Sequence, residues 1–151
     1  MNAINFIKSI LYLLKRYSIL IFTFYLLTLV FLTLFSYNYY IYGKSSNYLL
    51  FSSIKLMLHS QDPMLILKNI IGNVVLFLPF GLFLPVINRM FSSVFLIFII
   101  SFFTSLIIEI LQKQIANRIF DIDDILLNVC GALLGLFFVK TFNYLSFGNL
   151  K

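Results

Sequence analysis

The residues of this chain best suited to chemistry are carboxylates, which are few and grouped. Of the five acidic residues, Asp121, Asp123 and Asp124 stand where an apolar run begins, and Glu109 lies within the apolar run before it. Charge in an apolar segment is costly, so we take this group as the candidate functional site. Carboxylates transfer protons, orient cations and bind Mg²⁺ or Ca²⁺, which prefer oxygen ligands.

An arginine accompanies these carboxylates in the sequence. The planar fork of Arg118 binds either a carboxylate or a phosphate, and two roles follow. In one, Arg118 pairs with a carboxylate and holds the last two helices in register, while asparagines bond across helices. In the other, Arg118 binds the anion of a charged head group, and the neighbouring carboxylates Glu109, Asp121 and Asp124 orient that group or hold a cation.

No dedicated cofactor or metal site is predicted. The only histidine, His59, has no second ligand nearby in the sequence and is interpreted as a surface residue. The motifs Gly-x-Ser-x-Gly and His-Glu-x-x-His and the phosphate-binding loop do not occur in the chain. A Mg²⁺ or Ca²⁺ ion at the carboxylates is the one metal site that the sequence leaves open.

The composition indicates an integral membrane protein. Hydrophobic residues make up 62% of the 151 residues and charged residues 11%, whereas soluble domains have about 25% charged residues. The net charge of +6 does not indicate nucleic-acid binding, because the basic residues are scattered between apolar runs. At such positions they set topology and meet anionic lipid head groups. The single cysteine, Cys130, excludes an internal disulfide and is expected to be buried.

The apolar runs predict an all-α, four-span transmembrane helical bundle that forms a single integral membrane domain over residues 1–151. A short amphipathic segment precedes the first span. A second amphipathic or interfacial segment, at about 47–62, lies between spans one and two. The spans are expected at about 17–39, 69–88, 90–111 and 121–141.

Proline and glycine residues mark special positions in spans two and four. Pro79 lacks a backbone donor and predicts a kink or break near residues 75–78. Gly81 follows it in the same span. Gly131 and Gly135 have the four-residue spacing of small residues that lets helices approach closely.

Helical spacing and span count place the polar residues together. At 100° per residue, an arc of about 80° holds Asp121, Asp124, Asn128, Gly131 and Gly135, and Asp123 falls on the opposite side. Spans two and four start on the side of the membrane where span three ends. One depth near one surface is therefore predicted for Asn73, Glu109, Gln112, Arg118, Asp121, Asp124 and Asn128.

The basic residues around the first span predict the orientation. Lys8, Lys15 and Arg16 precede this span, and Lys44 follows it soon after. Because basic residues favour the cytoplasmic side, both termini are expected in the cytoplasm of a cell whose membrane the protein crosses several times. The polar residues would then lie near the outer surface.

Three motifs in this order, within apolar spans, resemble the VanZ-like family over residues 69–135. The motifs are Asn73-x-x-x-Phe77-x-Pro79-x-Gly81, Ser105-x-x-x-Glu109-x-x-Gln112 and Arg118-x-x-Asp121-x-Asp123-Asp124-x-x-x-Asn128-x-x-Gly131-x-x-x-Gly135. The resemblance extends to residues 47–51, where the family often has Asn-x-x-Pro-Phe. This chain has Asn47 and Phe51 there, with Leu50 in place of the proline.

The resemblance implies a small multi-pass bacterial membrane protein. The namesake of the family lowers susceptibility to teicoplanin, and the family brings no catalytic residue set with it. We therefore expect a non-enzymatic envelope protein. Its outward polar pocket would meet membrane lipid head groups, a lipid-linked cell-wall precursor or the lipid tail of a glycopeptide antibiotic. The alternatives are a membrane-embedded enzyme acting on a phospho- or acyl-lipid, and a structural or accessory subunit.

Overall fold

Helices make up nearly all of the residues 3–35, 46–115 and 118–147 that the computed structural model describes. They are, in order, α1 (Ala3–Phe35), α2 (Ser52–His59), α3 (Pro63–Ile66), α4 (Gly72–Ile87), α5 (Val94–Ile115) and α6 (Ile122–Phe147). A π-helical turn, Leu67–Ile71, joins α3 to α4, and a 3-10 turn, Arg89–Ser92, lies between α4 and α5.

Within the described residues, four helical stretches are long and apolar enough to cross a membrane. They are Lys15–Leu34, Pro63–Ile87, Val94–Ile115 and Ile122–Leu145. These stretches confirm the all-α fold class and make the chain a multi-pass membrane protein. Helix α1 runs without a break from Ala3, so the amphipathic stretch expected before residue 17 is continuous with the first span. The expected end of that span, residues 36–39, lies outside the described residues.

Polar side chains and a proline fix where the shorter helical segments begin. The Asp62 carboxylate accepts hydrogen bonds from the backbone N–H groups of Met64 (2.9 Å) and Leu65 (3.4 Å), and Pro63 occupies the first turn. Both features stabilise a helix start, because the first N–H groups have no partner within the helix. The Asn88 side chain likewise accepts from the N–H of Met90 (2.9 Å).

Helix α4 continues through both of its prolines, Pro79 and Pro85, and the departures from α geometry lie outside it, in the π-helical turn before it and the 3-10 turn after it. The hydroxyl of Tyr25 donates a 2.7 Å hydrogen bond to the carbonyl of Leu76, three residues before Pro79. The carbonyl that Pro79 leaves without its helical donor is that of Val75, one residue earlier, so the Tyr25 bond attaches α4 to α1 beside this position.

Backbone contact between α4 and α6 is the closest helix packing in the bundle. An added Cβ atom would lie 2.1 Å from the Val74 carbonyl oxygen at Gly131 and 2.1 Å from the Leu78 carbonyl oxygen at Gly135. A Cβ at Gly81 would lie 1.8 Å from the carbonyl oxygen of Ala132. Only hydrogen fits at these three positions, so the glycines set the distance between the two helices.

The apolar core surrounds this helix pair and includes residues of α1 and α5. Helix α1 packs on α4 through Phe22 and Phe80, whose ring centroids are 5.8 Å apart. Buried core side chains include Leu29 of α1, Phe77 of α4, Ile97 of α5 and Leu136 of α6. The expected burial of Cys130 is wrong, because the structure places this side chain on an exposed face of α6.

Candidate functional site

Four carboxylates are buried together at the end of the bundle where α5 ends and α6 begins. We call Glu109, Asp121, Asp123 and Asp124 the acidic cluster. Each of these side chains is at most 4% exposed. Four of the five acidic residues of the chain therefore lie in one buried region. They do not line an open pocket in this structure. The segment 46–59, which precedes and includes α2, lies over Asp121 and Asp123, and we call it the covering segment.

Asp123 binds the amino-terminal end of α2. Its carboxylate accepts hydrogen bonds from the N–H groups of Phe51 (2.6 Å), Ser53 (2.9 Å) and Ile54 (3.3 Å), and from the Ser53 hydroxyl (2.7 Å). No side chain of the α2 start itself caps this helix. The carboxylate satisfies N–H groups that would otherwise be unpaired, and its charge is favourable at a helix amino terminus.

Asp121 fixes the other end of the covering segment. One of its carboxylate oxygens accepts from the Asn47 amide nitrogen (2.8 Å) and from the N–H of Asp123 (2.9 Å). The backbone of Asn47 pairs with the residues on either side of Asp121, through Asn47 N–H to the Phe120 carbonyl (2.8 Å) and Ile122 N–H to the Asn47 carbonyl (3.2 Å). Residues 46–59 are thus attached to the start of α6 at two points.

Glu109 and Asp124 connect the cluster to α5 and α4. The Glu109 carboxylate accepts from the N–H of Asp121 (3.1 Å). Asp124 accepts from the amide nitrogen of Asn73 at the start of α4 (2.7 Å). Asp124, Arg118 and Asp121 are all near enough to Glu109 to interact with its charge.

The last turn of α1 contributes a backbone carbonyl to the same region. The Thr33 carbonyl accepts from the Gln112 amide nitrogen (2.8 Å) and from the Arg118 guanidinium (3.0 Å). The N–H of Arg118 also donates to the carbonyl of Gln112 (3.1 Å). Gln112 and Arg118 therefore tie the end of α5 to the end of α1.

Asn128 and Gln112 have buried amide side chains in which the nitrogen forms a hydrogen bond and the oxygen does not. The Asn128 amide nitrogen donates to the Ser105 hydroxyl (2.8 Å), which joins α6 to α5. Among the described residues, two buried side-chain oxygens have no hydrogen-bond partner, Asn128 Oδ1 and Gln112 Oε1. A buried acceptor without a donor costs about 1–3 kcal/mol, so these two atoms call for an explanation.

Aromatic and basic side chains beside the cluster form its rim, of which Tyr48 and Lys113 are exposed and Phe120 is partly buried. The rings of Tyr48 and Phe120 stack with centroids 5.5 Å apart, and Lys113 Nζ lies 3.4 Å from the Tyr48 hydroxyl. A side-chain hydrogen bond with Ser46, and then the bond and charge of Lys113, lower the pKa of Tyr48 below its ordinary value. Aromatic and basic residues of this kind favour the boundary between lipid and water.

The seven residues expected at one depth all lie in this region of the structure. Direct bonds link Asn73 to Asp124, and Glu109 to the backbone of Asp121. Glu109 and Asp121 are thus as close as a shared catalytic site would require. Asp123, which helical spacing puts on the opposite side of α6 from Asp121 and Asp124, is fully buried and meets α2.

The site residues that the sequence did not predict belong mainly to the covering segment. Asn47 and Ser53 form hydrogen bonds with the acidic cluster. The Ser105 hydroxyl accepts from Asn128, and the Thr33 carbonyl accepts from Gln112. The similarity of residues 47–51 to the family motif was the signal that could have identified Asn47. No sequence signal marked the Thr33 carbonyl, because any residue type supplies one.

The described residues do not form the Mg²⁺ or Ca²⁺ site that the sequence leaves open at the carboxylates. Within the described parts of the chain, no group of three or more histidine, cysteine or carboxylate side chains is placed to hold a metal. The carboxylates are instead oriented by backbone and amide donors.

Comparison with known proteins gives one match. The sequence model of the VanZ/LLP1 family matches residues 22–143, a stretch that includes the acidic cluster, α4 and most of α6. A search of curated proteins and a search of solved structures each returned no match. Because the match covers far more than half of the sequence and agrees with the motifs in spans two to four, the chain belongs to the VanZ/LLP1 family.

Proposed function

We propose that this protein is a non-enzymatic component of the bacterial cell envelope that binds a charged group at the membrane surface through its acidic cluster. The partner is a lipid head group, a lipid-linked cell-wall precursor or the lipid-bearing tail of a teicoplanin-type glycopeptide. Through this binding the protein lowers the susceptibility of the cell to such antibiotics. Membership of the VanZ/LLP1 family supports the cellular part of the proposal.

The observation that carries the proposal is the burial of four carboxylates at one end of a membrane bundle. Burying an ionised carboxylate costs several kcal/mol before its partners offset that cost. Apolar side chains of similar volume often give equal or greater stability than buried ionic groups. Packing alone therefore does not explain four carboxylates in one region, whereas recognition of a charged group does.

A second candidate is a purely structural cluster, and one observation favours it. Asp123 accepts four hydrogen bonds from the start of α2, so at least this carboxylate holds an element of the fold. The two candidates differ in what substitutions do. A structural cluster predicts less folded protein, and a binding cluster predicts folded protein that no longer protects the cell.

The variants Glu109→Gln, Arg118→Ala and Asp121→Asn are each expected to abolish protection against teicoplanin. Each removes a charge from the proposed contact, and losing one charge-assisted hydrogen bond weakens binding about tenfold or more. The measurement is the minimum inhibitory concentration in cells that express wild type or variant at matched levels of folded membrane protein. Asp62→Asn is the matched control, because Asp62 lies outside the cluster and asparagine also caps helices well.

Three outcomes of this experiment separate the candidates. Loss of protection in the cluster variants, with the control unchanged, supports the binding role. Full protection in all three cluster variants eliminates it. Loss of folded protein in all three, in parallel with loss of protection, favours the structural candidate.

We also propose that both termini lie in the cytoplasm, so that the acidic cluster is near the outer surface. The ends of α1 and α5 and the starts of α4 and α6 meet at the cluster, which therefore lies on the side of the bundle away from the amino end of α1. Lys15 and Arg16 occupy the half of α1 away from the cluster, as expected for a cytoplasmic end.

A reporter fused after Lys151 tests this orientation. A fluorescent protein that folds only in the cytoplasm is expected to be bright, and alkaline phosphatase, which is active only outside, is expected to be inactive. The reverse pattern would place the cluster on the cytoplasmic side and exclude direct contact with an extracellular antibiotic.

A further inference from the structure

The two unpaired amide oxygens lie on either side of Glu109 along α5. Asn128 is held by Ser105, one turn before Glu109, and Gln112 is nearly one turn after it. Each amide is 4% exposed. In Gln112 the nitrogen donates to the Thr33 carbonyl, which fixes the amide so that Oε1 is the atom without a partner. The Ser105 hydroxyl can donate as well as accept and so does not fix the Asn128 amide, whereas the missing partner of Gln112 Oε1 must be a donor.

The charges around Glu109 point to the same kind of partner. The acidic cluster has four carboxylates, and one guanidinium, that of Arg118, acts on Glu109. Asp123 meets the α2 amino terminus, which offsets part of one negative charge. Among the described residues, the carboxylates of the cluster outnumber the guanidinium that acts on Glu109, and buried negative charge is stabilised by positive charge.

We infer that the acidic cluster binds an ammonium group bearing N–H donors, which donates to the Glu109 carboxylate and to a neighbouring amide oxygen. This inference rests on the proposed function and names the part of the partner that enters the site. A protonated primary amine fits both observations, because it supplies positive charge and three donors in a compact group. A quaternary ammonium has the charge without the donors, and a phosphate or hydroxylated anion has the wrong charge.

The amine reaches the cluster past residues 46–59. The covering segment is held to α6 through Asp121 and Asp123, and two residues flanking α2, Phe51 (φ 63°) and Gln61 (φ 53°), have left-handed backbone conformations. Such conformations are costly for residues other than glycine, so docking of α2 stores strain at both of its ends. Displacement of α2 releases that strain and opens a path to the carboxylates.

A head-group series on the unmodified protein tests this inference. Purified wild type in detergent is incubated with phosphatidylethanolamine, phosphatidylcholine or phosphatidylglycerol of identical acyl chains, and bound lipid is counted by native mass spectrometry. Phosphatidylethanolamine is expected to bind at least about tenfold more tightly than phosphatidylcholine, because the latter cannot form the charge-assisted hydrogen bonds. Phosphatidylglycerol is expected to bind least.

Two further arms identify the source of the amine and the atoms that bind it. Displacement of phosphatidylethanolamine by millimolar ethanolamine shows that the amine alone is recognised, and lack of displacement shows that the lipid-borne amine is required; both support the inference. The ethanolamine preference is expected to vanish in Gln112→Met, which removes the amide oxygen without a partner, and to persist in the Asp62→Asn control.

Equal binding of phosphatidylethanolamine and phosphatidylcholine, or a preference for phosphatidylglycerol, would overturn the ammonium inference. Neither result bears on the proposed function, because the susceptibility measurements test that function separately. Protection that depends on the cluster, together with no ethanolamine preference, would mean that the site binds a charged group of another class.

Discussion

Replacing Asp123 by alanine is expected to lower the free energy of unfolding by roughly 3–5 kcal/mol, because several buried donors each lose an acceptor at a cost of about 1–3 kcal/mol. The substitution leaves the N–H groups of Phe51, Ser53 and Ile54 and the Ser53 hydroxyl without their acceptor in a buried site. Asp123→Asn keeps one acceptor oxygen and the side-chain volume, so a smaller loss of about 1–3 kcal/mol is expected. Unfolding of the purified protein in detergent, followed by circular dichroism, measures both values.

Asp62→Ala is the matched control for this series. Asp62 also accepts from two N–H groups at a helix start, but it is exposed, so water replaces its bonds. Its loss is expected to cost about 1 kcal/mol. Hydrogen exchange gives a local readout, because the amides of Phe51, Ser53 and Ile54 should lose protection in Asp123→Ala while those of α5 keep it. Equal destabilisation by the Asp62 and Asp123 variants would show that the α2 contact contributes little.

The membrane architecture was predictable because the length of each apolar run determines it. Apolar runs longer than a bilayer thickness must be helical and must cross lipid, whatever the neighbouring helices do. The same logic places Asn73, Glu109 and Asp121 near one surface, since span count alone fixes which helix ends meet. Local sequence was therefore sufficient to predict most of the fold and the approximate position of the site.

The role of Asp123 was not predictable from helical spacing. A helical wheel correctly separates Asp123 from Asp121 and Asp124, but it does not show what the other face of the helix meets. That face meets α2, an eight-residue helix whose position depends on Asn47 pairing with residues more than 70 positions away. Contacts between such distant segments leave no periodic signal, so the closed state of the site emerged only from the structure.

The effect of Pro79 also depends on tertiary contacts. Proline removes one hydrogen bond from the helix, which predicts a break in an isolated segment. In the bundle, Tyr25 reaches the Leu76 carbonyl from α1, and the close contact with α6 at Gly131 and Gly135 holds α4 from the other side. Packing on both sides keeps the helix continuous through the proline, and neither neighbour is visible from the sequence around residue 79.

Alanine at Gly131 or Gly135 is expected to destabilise the bundle by about 3 kcal/mol or more, at the upper end of the range for overpacked cores. The added Cβ atom would lie 2.1 Å from a carbonyl oxygen of α4 in each case. The obstacle is backbone, which cannot change rotamer, so the two helices must separate along their length. Separation would also lengthen the 2.7 Å bond between Asn73 and Asp124, which spans the same helix pair.

Gly72→Ala gives the comparison that isolates packing from helix propensity. A Cβ atom at Gly72 would lie 3.6 Å from the nearest atom, an ordinary contact, and alanine favours helix over glycine by up to about 1 kcal/mol. This variant should therefore unfold at the same temperature as wild type or a higher one, whereas Gly131→Ala and Gly135→Ala should unfold well below it.

If all three alanines raised the unfolding temperature, helix propensity would outweigh packing, and α4 and α6 would not be in backbone contact. If only the Gly131 and Gly135 variants lost stability, and protection against teicoplanin fell with it, then the contact between α4 and α6 would also position Asp124 for binding.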